Sequence, residues 1–422
     1  MSGSIFKAYD VRGLVDVELT PDFAFATGAA FAQFLKDERE PATVVIGEDM
    51  RPSSPALADA FSAGVTSGGL DVIRIGLAST DMLYFAAGKL NLPGAMFTAS
   101  HNPAAYNGIK MCLSGARPIG KESGLLAIEK YKDEGVALSV GQRGVESKRE
   151  MLTEYVDHLL TLVDLTAMRH LKIVVDAGNG MAGHTAPAVM SRLNADVVEM
   201  YYELDGTFPN HEANPIDPEN LRDLQAAVKK NKADIGLAFD GDADRCFLVD
   251  ERGELVNPSA LTALIATREL KKHPGSTIIY NLISSRAVRE VVEENGGKAE
   301  RSRVGHSFIK KQMADTGAVF GGEHSGHFYF RDFWRADSGM LAALHAIAAL
   351  GESEITLSQL LAPFNRYISS GEINSTVEDS ASMIAKIESI YGTREGVTTD
   401  HLDGLTVNGC LLYTSDAADD TP

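Results

Sequence analysis

The sequence predicts an α/β protein, with three similar mixed α/β domains in series and a truncated fourth domain of α+β type. Short β-rich runs alternate with amphipathic helical stretches, the rhythm of parallel α/β units. That rhythm restarts twice, after the polar stretch at 141–150 and again near Leu255. Beyond Ser369 a differently built unit begins and then stops.

In the first domain, residues 1–152, strands are expected at 43–46, 72–75 and 95–98, with helices from about Pro55 and Thr80. The second, residues 153–254, has strands at 172–175, 195–198 and 235–238. The third, residues 255–368, has strands at 277–280, 298–300 and 318–320 and a helix from Asp337 to Leu350. In the fourth, residues 369–409, a strand at 371–374 and a helix from Ser380 are expected. Residues 410–422 resemble the in-frame translation of a transposase end and sequencing adapter, so this tail is read as an artefact that truncates the fourth domain.

The 422 residues carry 39 Lys and Arg against 58 Asp and Glu, a net charge of −19, which excludes nucleic acid as the expected partner. At roughly 100–200 residues per domain, the length suits two to four domains. A composition 44% hydrophobic and 23% charged is that of an ordinary globular protein, not a disordered or fibrous one. The apolar run beginning at Ala342 is broken by His345, far short of the roughly 20 residues of a membrane span, and Met1-Ser2-Gly3-Ser4 opens no signal peptide. A cytoplasmic protein with no membrane partner is expected. Cys112, Cys246 and Cys410 are widely spaced and read as buried thiols of a reducing compartment.

Three segments carry candidate chemistry. Thr98-Ala99-Ser100-His101-Asn102-Pro103 follows a strand, which puts the Ser100 hydroxyl at the carboxyl end of a parallel sheet, where α/β active sites form. Read alone, it is equally a strand-to-turn connection. Asp240-Gly241-Asp242-Ala243-Asp244-Arg245 offers carboxylates at alternate positions that can converge on a hard cation such as Mg²⁺. Its alternatives are a solvated acidic turn and a calcium loop ending at Glu251. The calcium loop lacks the required glycine, Arg245 standing there, and is flanked by strands. Gly321-Gly322-Glu323-His324-Ser325-Gly326-His327 suits a loop gripping sugar hydroxyls, or a mere turn. Two further matches are weak. The 178–183 glycine pattern imitates a dinucleotide fingerprint, with Asp196 and Glu199 near a ribose-contact distance, and 115–121 has Walker-A spacing but is interrupted by Pro118 and followed by Glu122.

Taken together, the Ser-His-Asn-Pro, Asp-Gly-Asp-Ala-Asp-Arg and Gly-Glu-His-Ser-Gly-His blocks, in this order, resemble the α-D-phosphohexomutase superfamily in its bacterial phosphomannomutase/phosphoglucomutase branch. The likeness covers roughly residues 4–409 and sets the dinucleotide reading aside. It implies domains arranged around a central cleft and interconversion of mannose 6-phosphate and mannose 1-phosphate, with glucose phosphates as further substrates. Ser100 would carry the phosphoryl group, hexose 1,6-bisphosphate would be intermediate and activator, and Ser100, Asp240, Asp242 and Asp244 would hold Mg²⁺. By the same likeness His101, Lys110, Arg12 and Arg245 surround the transferring group, and Glu323, Ser325, His306 and His327 face the sugar. Hexose phosphates are the expected partners, and a monomer or weak dimer the expected state. The rivals are a phosphoglucosamine mutase and a non-catalytic sugar-bisphosphate-binding homologue. Two departures from the family pattern matter: Arg286 stands in a loop where many relatives place Lys, and no C-terminal phosphate-clamping loop is found, so weak turnover by this polypeptide is expected.

Overall fold

The computed structural model describes residues 5–136, 143–371, 373, 375–409 and 413–415, with only the backbone at His306 and at 413–415. They fall into two compact units, residues 1–256 with 325–360 and residues 257–324 with 361–422.

The first unit contains two sheets whose centres are parallel. In the first sheet the strands are β1 Val11–Leu14, β2 Thr43–Glu48, β3 Asp71–Leu77, β4 Gly94–Phe97, β5 Tyr106–Leu113, β6 Arg117–Pro118 and β7 Glu146–Lys148, in the order β1-β5-β4-β2-β3-β7 with β6 on β5. Strands β4, β2, β3 and β7 run parallel, whereas β5 is antiparallel to both β4 and β1. The sheet is therefore mixed rather than wholly parallel, because the turn at 98–105 is too short for a crossover helix and returns the chain antiparallel. No β-rich run points to an element before residue 43, yet β1 and the helix Pro21–Asp37 lie there. That helix is fixed by Thr20, whose hydroxyl accepts from Phe23 N–H, and by Pro21 in its first turn. The core of this layer is dry and aromatic: Phe31, Phe61 and Phe97 are fully buried and pack in sequence.

The second sheet has β8 Leu171–Asp176, β9 Ala195–Met200, β10 Ile235–Phe239 and β11 Cys246–Asp250, in the order β11-β10-β8-β9. Strands β8, β9 and β10 are parallel, and β11 folds back on β10 with Phe239 opposite Cys246. The 240–245 segment is thus a hairpin connection at the carboxyl end of a parallel strand.

In the second unit β12 Thr277–Asn281 lies between β13 Lys298–Ser302 and β14 Phe320–Gly322, all parallel. The strand expected at 318–320 sits two residues later, since pairing with β12 draws Gly321 and Gly322 into the ladder. The first unit resumes with the antiparallel pair β15 Phe328–Phe330 and β16 Ala336–Asp337, followed by the buried helix Gly339–Gly351. The remaining strands, β17 Thr398–Asp400, β18 Thr406–Asn408 and β19 Tyr413–Ser415, form an antiparallel sheet after the helix Ser380–Tyr391. At the expected strand 371–374, Gly371 and Ile373 are not extended into a ladder, and Glu372 and Asn374 lie outside the described residues. Cys410 and most of the 410–422 tail also lie outside them. Cys112 and Cys246 are buried, as expected. Among the described residues no helix is long and apolar enough to cross a membrane.

A buried carboxylate joins the ends of three helices in the first unit. Asp81, in the first turn of the helix Thr80–Leu90, is fully buried and accepts hydroxyl hydrogen bonds from Ser79, from Tyr155 at 2.7 Å and from Ser338 at 2.6 Å. Ser79 and Ser338 also cap helices, their hydroxyls accepting from Met82 N–H and Leu341 N–H. Desolvation outweighs these bonds and raises the Asp81 pKa to about 6.

Two outcomes are expected. The helices Pro21–Asp37 and Ser54–Ser67 touch backbone to backbone, so a Cβ at Gly64 would lie 2.1 Å from Phe25 O and one at Gly28 2.2 Å from Phe61 O. Gly64→Leu should therefore cost about 3 kcal/mol, the upper end of the overpacking range, read as a lowered urea midpoint. Folded Asp81 keeps its proton to higher pH than the unfolded chain, so its ionisation lowers wild-type stability as pH rises from about 4 to 6. Asp81→Asn escapes that loss and should gain on the wild type by roughly 2 kcal/mol between pH 4 and 7; a pH-independent difference in unfolding free energy would contradict it.

Candidate active site

The carboxyl end of β4 brings Ser100 out of the sheet into a turn, where its own side chain is buried. Its backbone is left-handed, at φ 50°, an uncommon conformation for a residue with a Cβ, and its N–H donates to Thr98 Oγ1 at 2.9 Å. Ser100 Oγ donates to Asp240 Oδ2 at 2.6 Å, across 140 residues of sequence. The two loops also touch through their backbones: a Cβ on Gly241 would lie 2.3 Å from Ser100 O, so only glycine lets the acidic loop pass so close. Gly180 serves the same approach from the other side, its would-be Cβ 2.7 Å from Gly241 O, while Met181 N–H donates to that oxygen. The glycine pattern at 178–183 is thereby explained as packing against the acidic loop.

Asp240, Asp242 and Asp244 are buried, and each offers an oxygen within 4.8 Å of the others. Lys110 Nζ donates to Asp242 Oδ2 at 2.8 Å and Asp244 Oδ2 at 2.6 Å, and Thr80 Oγ1 donates to Asp242 Oδ2 at 2.6 Å. The opposite oxygens, Asp242 Oδ1 and Asp244 Oδ1, are buried with no hydrogen-bond partner. Buried carboxylate oxygens without donors are costly unless a cation meets them. Three carboxylates converging beside a serine oxygen therefore fit a hard divalent cation with oxygen ligands.

The charges explain the proton states. Burial, then the neighbouring Asp244 and Asp242, raises Asp240. Burial works the same way on Asp242, but Lys110 overrides it and holds that group below the usual carboxylate range. Lys110 in turn stays charged well above its ordinary range: burial opposes this, and Asp242 and Asp244 overcome it. His101 Nδ1 lies 3.3 Å from Ser100 Oγ, and the Arg245 charge and burial lower its pKa to about 2, so the ring is neutral.

Arg12 lies opposite Gly108 in the β1–β5 ladder, two residues from Lys110, so Arg12 and Lys110 project from one face of the sheet. Its guanidinium donates to Asn102 Oδ1 at 2.6 Å and to Asp10. Arg245 Nε lies 3.6 Å from Asp240 Oδ2 and 4.0 Å from Asp244 Oδ1. His327, bridged to Arg245 through the backbone, places Nδ1 3.0 Å from Asp337 Oδ2 and 3.7 Å from Asp244 Oδ1. Thus Ser100, His101, Lys110, Arg12, Arg245, His327 and the three aspartates come together within one unit. Thr80 and Asp337 join them without any sequence signal. Ser325 belongs to the same unit and is half-buried.

Glu323 lies in the second unit, buried, where Oε1 accepts from Gly305 N–H at 3.1 Å and from Asn281 Nδ2 at 3.4 Å, linking the loops after β12, β13 and β14. His306 opens the helix His306–Thr316 in that unit, and its side chain lies outside the described residues. Arg286 is exposed there and lines a pocket of 310 Å³ with Arg289, Arg301, Tyr280 and Ser284. The calcium-loop alternative fails on geometry, because the Glu251 carboxylate is taken by Ser358, whose N–H donates to it at 3.0 Å.

Comparison with known proteins places this geometry. The phosphoglucomutase/phosphomannomutase alpha/beta/alpha domains I, II and III match residues 3–135, 153–253 and 257–367 in order. A phosphomannomutase of Salmonella typhimurium is 39% identical over 412 residues, covering 96% of this chain and 89% of its own length. The phosphohexose mutases of Xanthomonas campestris are 40% identical over 405 residues, with the same coverage. A crystal structure of a phosphoglucomutase/phosphomannomutase family protein from Burkholderia thailandensis superposes with a TM-score of 0.89 at 33% identity, covering 97% of this chain and 89% of that one. With a serine hydroxyl set against a caged acidic loop, and three successive domains of one family along its length, the chain belongs to the phosphoglucomutase/phosphomannomutase family and is a phosphohexomutase.

Proposed function

We propose that this mutase interconverts mannose 6-phosphate and mannose 1-phosphate, and the corresponding glucose phosphates, with Ser100 as the phosphoryl carrier. The observation that carries this reading is the 2.6 Å hydrogen bond from Ser100 Oγ to Asp240, inside a buried cluster of carboxylates and fixed cations. In the first half-reaction the phosphoserine P–O bond breaks as a sugar hydroxyl oxygen bonds to phosphorus, and the proton that hydroxyl loses is balanced by the one gained at the released Ser100 Oγ, giving hexose 1,6-bisphosphate. In the second, the other phosphoryl group returns to Ser100 and the isomeric monophosphate leaves. Such transfer is promoted mainly by positioning and by charge that offsets the equatorial oxygens. Lys110 and Arg245 supply that charge from fixed positions, held by the aspartates at 2.6–4.0 Å. Arg12 adds a third cation, steered by Asn102 from the serine loop. The neutral His101 ring, 3.3 Å from Ser100 Oγ, can share a hydrogen bond there without adding charge.

Asp240, Asp242, Asp244 and a Ser100 oxygen are the proposed Mg²⁺ ligands, and the two buried carboxylate oxygens without a hydrogen-bond donor support that assignment. A bound Mg²⁺ would supply Lewis-acid polarisation of the phosphoryl oxygens. Glu323, Ser325, His306 and His327 are the proposed sugar contacts, supported by the Gly-Glu-His-Ser-Gly-His segment. A grip on hydroxyls other than that at C2 would admit both mannose and glucose. The proposed setting of the reaction is the cytoplasm, in keeping with three cysteines too widely spaced to suggest a disulfide framework.

Incubation with glucose 1,6-bisphosphate should add one phosphate to the intact mass, and Ser100→Ala should abolish that adduct; an adduct that persists would move the carrier elsewhere. Asp242→Asn should lower phosphotransfer by at least about 10²-fold, the scale of losing a strong electrostatic contributor. An unchanged rate in that variant, or full activity in excess chelator, would refute the Mg²⁺ assignment.

A further inference from the structure

We propose that Arg51, a residue outside the reacting cluster, is the positioning residue that holds the phosphoryl-carrying loop in its strained form. Its side chain is wholly buried, and its two terminal nitrogens are saturated by one segment of chain. Nη2 donates to Ser100 O at 2.9 Å and Asn102 O at 2.7 Å, and Nη1 donates to Pro103 O and Tyr106 O, both at 2.9 Å. On the other side, Nε lies 3.3 Å from Asp49 Oδ2, while the second Asp49 oxygen accepts from Arg51 N–H at 3.0 Å and Ser54 Oγ at 2.6 Å. The Phe208 ring covers the guanidinium at 5.1 Å.

The placement follows from the sheet. Strands β2 and β4 are parallel neighbours, with Glu48 opposite Phe97, so the loops leaving their carboxyl ends start side by side. Asp49 N–H still donates to Phe97 O at 2.9 Å, after which the two chains part around the guanidinium.

The 100–106 segment needs this partner. Leaving the ladder to form a sharp turn, it directs the Ser100 and Asn102 carbonyls into the interior, where an acceptor without a donor is costly, while Pro103 O and Tyr106 O lie at the partly exposed side of the same guanidinium. Ser100 adopts its left-handed backbone at the same point, at a cost that surrounding contacts must offset. A planar guanidinium with its forked donors can satisfy four carbonyls at once; an ammonium on a flexible stem cannot span them. Arg51 touches neither Ser100 Oγ nor any aspartate of the acidic loop. Its action is to fix where the serine oxygen stands relative to Asp240.

This role rests on Ser100 being the carrier, and the test separates the two claims. Arg51→Lys and Arg51→Ala are prepared in the full chain beside the wild type and compared by steady-state kinetics and by hydrogen exchange of peptides spanning 98–107. For Arg51→Lys the expected result is a kcat lower by about 10²-fold, the scale of a 1 Å misplacement, with the hexose phosphate KM changed much less. Faster exchange should be confined to the 100–107 amides. Guanidinium ion, added far below denaturing concentrations, should restore part of the Arg51→Ala activity. Wild-type kcat in Arg51→Lys would overturn the proposal, as would exchange that rises throughout the first unit, which marks a merely structural residue. If Arg51→Ala does not fold, the lysine variant decides. If the wild type itself transfers no phosphate to Ser100, the carrier assignment falls, and local exchange in Arg51→Lys still decides whether Arg51 holds the loop.

Discussion

The central constraint on this protein is the burial of three carboxylates within a few residues of one another. Asp240, Asp242 and Asp244 are almost wholly withdrawn from water, and their mutual repulsion in a medium of low polarity is severe unless opposite charge lies close. Lys110 and Arg245 supply it at 2.6–4.0 Å, and Thr80 and Ser100 add hydroxyl donors. Such an arrangement is poor as a device for stability, since well-packed apolar residues would serve the fold as well. Its sense is chemical: positive charge, a hydroxyl and carboxylate oxygens without hydrogen-bond donors are kept in fixed relation where a phosphoryl group can be met.

Sheet topology makes that arrangement possible. Both chemistry-bearing loops leave the carboxyl ends of parallel strands, β4 and β10, and both turn back into an antiparallel neighbour, β5 and β11. The return strand is used as well, since Lys110 lies on β5 and Arg245 immediately precedes β11. The N-terminus of the helix Thr80–Leu90 reaches the acidic loop through Thr80, whose N–H donates to Asp242 O at 3.0 Å. Asp81, next along that helix, ties it to Tyr155 and Ser338. The acidic loop is thus held by contacts that begin in the core.

Much of this was legible in the sequence, for a definite reason. Ser100 and the alternate aspartates have side chains whose chemistry is visible in their type, and each follows an apolar run that ends at a turn. Arg51 could not be read in the same way. Its partners are backbone carbonyls 49–55 residues away, and a carbonyl leaves no trace in residue type. Thr80 meets Asp242 across 162 residues and sits in a plain helix start. The mixed character of the sheets was hidden because β5 and β11 carry the same apolar composition as parallel strands, and only the shortness of the connections before them betrays the reversal.

The acidic loop is also a hairpin of fixed length, six residues between the paired Phe239 and Cys246. A strand presents alternate residues to opposite faces, so adding or removing one residue there would either rotate β11 by half a turn or break its pairing. Phe247 and Val249, which pack in one core cluster, would then exchange places with Cys246 and Leu248, which are buried on the opposite face. Gly241 apart, where packing against Ser100 O admits no side chain, the loop's side chains answer to the reaction and its length to the register of β11.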